Sequence, residues 1–107
     1  MIFVSKYIVP KGYTGLALFP FVFVKHAYLK LNKVLVNHEH IHLKQQLELL
    51  IFPFFIWYGV EFLVRYVHYK NWYDAYRNIG FEREAYQNEG NLEYLKKRRF
   101  WSFLKYL

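Results

Sequence analysis

NHEHIHLKQQLELL, residues 37–50, is the stretch on which the reading of this chain turns. Leu35, His38, His42, Gln45 and Leu49 follow one another at spacings of three and four. That spacing predicts a helix with these residues on one stripe. The stripe is polar where a core-facing stripe should be apolar. Within it, His38, Glu39 and His42 fit the pattern H-E-x-x-H. Residues four apart share a helix face, so two imidazoles so placed can converge on one ion. Glu39 projects about 100° further round the axis, alongside such an ion, where a carboxylate can take a proton from water and pass it on. Nitrogen and oxygen donors with one position left open suit Zn2+. His40 points to the other side of the helix and reads as a surface residue.

Working outward, IFVSKYIV (2–9) and LALFPFVFV (16–24) are rich in Val, Ile, Phe and Tyr and flank PKGYTG. They read as two antiparallel strands around a turn. Pro20 has no N–H to give a ladder, so the second strand is expected at a sheet edge. KHAYLKLN (25–32) reads as a connection. On the other side, Pro53 is expected to end or kink the helix that starts near Lys33. A second helix is expected from about Phe54 to Tyr69. A polar connector, KNWYDAYRN, follows, with Asn71 or Asp74 able to cap. A third helix is expected over Phe81 to Lys97, broken or bent near Gly90. The class is therefore α+β: a small N-terminal antiparallel strand pair, then a helical majority carrying H-E-x-x-H on its first long helix.

The 107 residues suffice for one domain around a single core. A chain that is 55% hydrophobic and 23% aromatic is excluded from the disordered class. It is also more apolar than a small core can hide, so aromatic surface is expected to face a partner or a lipid interface. The absence of cysteine excludes disulfides and thiolate metal sites. A net charge of +7 fits nucleic acid, an anionic membrane or an acidic partner. No nucleic-acid motif accompanies the charge, which makes that partner the least favoured. Oligomeric state has no signature here.

MIFVSKYIVPKGYTG lacks a basic segment ahead of an apolar one and meets Pro10 and Gly12 early, unlike a signal peptide. A cytoplasmic setting is expected, with peripheral attachment at the inner membrane face as its variant. LLIFPFFIWYGV (49–60) precedes Glu61. It falls short of the roughly 20 apolar residues of a spanning helix. It reads as a buried or membrane-lying helix, and whether residues 49–64 enter a bilayer is left open. The tail, 95–107, sets Lys96, Lys97, Arg98 and Arg99 before Phe100, Trp101, Phe103, Leu104 and Tyr106. Such a segment either lies in an anionic headgroup layer or docks its aromatics on the core.

A three-ligand site needs one more donor. Glu61, Glu82, Glu84 and His68 are the available residues. Glu61 sits in the apolar second helix, where an unpaired carboxylate is costly, so it needs either the metal or Arg65. Glu82 and Glu84 lie in FEREAYQNEG, where small Ala85 would allow close approach to the His helix.

HEHIH followed some forty residues later by FEREAY resembles the gluzincin type of zinc metallopeptidase, and the size is similar to that of minigluzincins. In the branch that includes CAAX-type proteases and beta-lactam-sensing receptors, the third ligand opens a Glu-x-x-Ala-Asp-like or Glu-x-x-Cys-Asp-like motif. The resemblance implies a zincin-like fold and peptide-bond hydrolysis, with His38, His42 and Glu82 as zinc ligands and Glu39 as general base. Glu84 and Glu61 stand as alternatives to Glu82. Tyr86 stands where the family usually has Asp, a departure that bears on the hydrogen bond such an Asp makes to a ligand. The resemblance also implies that an edge strand containing Leu18, Phe19, Phe21 and Val22 pairs with an extended peptide or protein substrate.

Overall fold

The sheet and helices below come from a computed structural model that describes residues 2–107. Three short strands open the chain: β1 (Ile2–Val4), β2 (Gly15–Leu18) and β3 (Phe21–Val24). Their order is β1-β3-β2, with β1 parallel and β2 antiparallel to β3. The expected class is present, with two differences in the strands. The segment 16–24 is not one strand but most of a hairpin, turning at Phe19–Pro20. A proline lacks the N–H that a ladder needs, so the chain turns where it sits. The expected strand 2–9 shortens to β1, which adds to the far side of β3.

A 3-10 turn over Ala27–Leu31 leads into α1 (Lys33–Leu49). Asn32 caps α1, its side chain accepting from the Leu35 N–H at 3.1 Å. α2 (Ile51–Tyr69) follows at 110° to α1. The break falls at Leu50, with φ 62° and ψ 147°, rather than at Pro53. Pro53 stands in the first turn of α2, where its missing N–H has no intrahelical partner to lose. The 70–78 connector contains a short helix, α3 (Trp72–Arg77), capped by Asn71 accepting from the Asp74 N–H. α4 (Gly80–Asn88) and α5 (Tyr94–Lys97) replace the single third helix and part around Gly90, as expected. A 3-10 turn over Ser102–Tyr106 ends the chain.

Two apolar clusters flank the polar stripe of α1. Val22, Val24 and Leu29 pack with Leu35 and Leu43. Phe54, Ile79, Phe81 and Phe103 pack with Leu49, Trp57 and Phe62. The tail is thus docked: Phe103 is 1% exposed inside the second cluster. Arg98 pairs with both Glu48 and Glu84, and none of the three side chains is more than 2% exposed. Between the clusters, α1 buries Asn37, His38, Glu39, His42, Gln45 and Gln46. A helix that turns its polar side inward must give every one of those groups a partner, and that requirement shapes the site.

Candidate metal centre

α4 meets α1 along this buried polar stripe. Glu82, in the first turn of α4, places Oε1 3.2 Å from His38 Nε2 and 3.0 Å from His42 Nε2. The two Nε2 atoms are 3.2 Å apart. His38, His42 and Glu82 are all buried and form a group that could hold a metal ion.

The ring tautomers follow from neighbours. Gln45 donates its amide hydrogens to Phe81 O at 3.1 Å and to Glu84 Oε1 at 2.9 Å. Its own oxygen is thereby turned to His42 Nδ1, 2.8 Å away, and can only accept. Likewise Glu89 Oε1 accepts from His38 Nδ1 at 3.1 Å. Both rings therefore carry hydrogen on Nδ1 and, when neutral, turn an Nε2 lone pair toward Glu82. Two lone pairs and a carboxylate oxygen facing one another out of water repel unless a cation lies between them. Without a metal, a proton fills that need. Burial alone lowers His42, but the Glu82 carboxylate outweighs it and raises the ring to about 9. Burial pushes Glu82 up, and the two imidazoles hold it far below the usual carboxylate range. Tyr58 donates to the other Glu82 oxygen at 2.7 Å, leaving Oε1 to face the rings.

Glu39 lies beside this group. Burial raises its carboxyl above the usual range, against the lowering effect of His42 and His38. It packs on β2: a Cβ at Gly15 would come within 3.0 Å of Glu39 Oε2. Two cavities meet here, of about 550 and 350 Å³. Both are lined by Tyr13, Gly15, His38, Glu39, Trp72 and Tyr76. The smaller adds His42 and Glu82 with Leu16, Phe54 and Phe55, so it is the apolar half of one cleft. Trp72 bridges the cleft by donating to the Tyr13 hydroxyl at 3.2 Å.

The alternative third donors are engaged elsewhere. Glu84 accepts from Gln45, Tyr94 and Arg98. Glu61 accepts from the Gly80 N–H at 2.8 Å, capping α4, and also pairs with Trp57 and Arg65. His68 is exposed near the end of α2. The proposed edge strand is corrected too. Phe21 and Val22 belong to β3, which is central and paired on both sides. Phe19 is in the turn; only Leu18 belongs to β2, the strand beside α1. On the outer edge of β2, the Gln46 amide donates to Ala17 O at 2.8 Å and accepts from the Phe19 N–H at 2.6 Å. It occupies the places a further strand would take. Gly15, one alternation back, points its N–H and C=O to the same edge beside Glu39.

The partners of the rings were not foreseen. Tyr86 packs edge-on against His38 at 4.5 Å between centroids, and Glu89 accepts from the His38 Nδ1–H. Glu89 falls seven residues, two helical turns, after Glu82, a spacing that could have drawn attention to it. Tyr58, hidden in an apolar aromatic run, carries no such signal. No family model, curated protein or solved structure matches the chain, so the chemistry of the site rests on its own donor atoms.

Proposed function

We propose that the chain is a zinc-dependent peptidase, with zinc held by His38, His42 and Glu82 and with Glu39 as general base. The observation that carries this reading is the convergence of three donor atoms 3.0–3.2 Å apart. The edges of a tetrahedron around zinc, with bonds near 2.05 Å, are about 3.3 Å. Zinc bound there would polarise a carbonyl and acidify a nearby water. Glu39, buried beside the ligands, takes the proton of the attacking water and returns it to the leaving amine. Gly15 offers main-chain groups to an extended peptide next to that carboxylate. Tyr13 and Tyr76 both line the two cavities, and either hydroxyl would serve to hydrogen-bond the developing oxyanion.

Glu39→Gln tests the assignment. Zinc content should stay at one per chain while hydrolysis of a fluorogenic peptide library falls about 10³-fold or more. Unchanged turnover would remove Glu39 as base. A second reading, a metal-binding module without turnover, is favoured by one observation: Gln46 fills part of the strand edge that a substrate would use. Zinc binding with no hydrolysis by the unaltered chain would select it.

A further inference from the structure

One face of α2 has no partner. Phe52, Ile56, Val60, Leu63, Val64 and Val67 recur at spacings of three and four and are between 57% and 83% exposed. No charge interrupts that face. The charged pair of α2, Glu61 and Arg65, lies on the opposite side and is joined at 3.3 Å. A helix at a water-facing surface ordinarily carries polar residues there. An apolar strip along 19 residues, about 28 Å, exceeds the scattered exposed side chains of a monomer. An exposed aromatic pair stands at its first end. Trp101, 44% exposed and stacked on Phe100, donates to Glu48 O just before it.

Charge identifies the occupant. Ten of the fifteen Lys and Arg residues are exposed, against two of the eight acids, Asp74 and Glu93. The other acids are turned into the metal group, the α4 cap or the Arg98 pair. Lys70 caps α2, and Arg99 flanks Trp101, so cations sit near both ends of the strip. Two copies meeting through α2 would set +7 against +7. An anionic lipid surface attracts the same charge and solvates the apolar face. Among the described residues no single helix is long and apolar enough to cross a membrane. We infer that α2 lies flat in the surface of an anionic bilayer, apolar face down, with Trp101 in the headgroup layer. This does not depend on the zinc reading.

Co-sedimentation of the full chain with vesicles of phosphatidylcholine, alone or mixed with phosphatidylglycerol, tests it. Pelleting with the mixed vesicles, weakened by salt, is expected. The triple variant Ile56→Gln, Leu63→Gln, Val67→Gln changes exposed positions only. With circular dichroism and melting unchanged, its vesicle affinity should fall about tenfold or more. Vesicles with brominated acyl chains read the contact in the unaltered chain, whose tryptophan emission should be quenched. The proposal is overturned if the chain stays in the supernatant with both vesicles or if the triple variant binds as the unaltered chain does. Unquenched emission overturns it too, as does self-association through α2 without vesicle binding.

Discussion

Glu39 is held where water is scarce and two acids, Glu82 and Glu89, are near, so its ionised form is costly in the folded chain. A carboxyl raised in this way weakens the fold as pH climbs past its unfolded value near 4.5. In the metal-free protein Glu39→Gln should therefore melt at a higher temperature than the unaltered chain at pH 7, which differential scanning calorimetry would read. His42 behaves in the opposite protonation sense. In the metal-free protein its ring is raised to about 9 from 6.5. The protonated ring adds stability that is complete below about pH 6.5 and is lost as pH rises through about 9. Melts of chelator-treated protein should fall across that window, and zinc should abolish the slope because it replaces the proton. Glu89→Ala should cost 10- to 100-fold in zinc affinity by competition with a chelating dye, since His38 loses the acceptor that fixes its tautomer.

At the scale of elements, Leu50 is a residue under strain. Its φ of 62° with ψ of 147° belongs to a region that glycine alone enters readily. Its side chain is 71% exposed. Leu50→Gly should raise unfolding free energy by about 1 kcal/mol in urea titrations, because the strain outweighs the added freedom of the unfolded chain. The α1 stripe was legible from the spacing of His38, His42 and Gln45, since a helix repeats its faces whatever surrounds it. So were a cap at Asn71 or Asp74, of which Asn71 serves, and the part near Gly90. The hairpin was not, because β-rich residues on both sides of Phe19–Pro20 look continuous, and strand register depends on partners far along the chain. Glu82 as the converging carboxylate came from motif resemblance; Gln45, Glu84 and Tyr58 needed tertiary contacts.

Taken whole, the molecule is tied from its end back to its centre. Arg98 is buried between Glu48 and Glu84, and Glu84 holds the Gln45 amide that sets the His42 ring. Arg98→Ala leaves two buried carboxylates without a cation and should cost about 3–5 kcal/mol in chemical denaturation. Composition forecast a basic aromatic tail with two possible fates. Phe103 and Arg98 took the inward one while Phe100 and Trp101 stayed outside, a division that periodicity over so short a segment does not reveal. The tie also narrows what the segment around residue 98 can tolerate. Any change that frees the guanidinium from Glu84 loosens the amide that orients the His42 ring, so a lesion there is felt at the His38–His42 group without touching it.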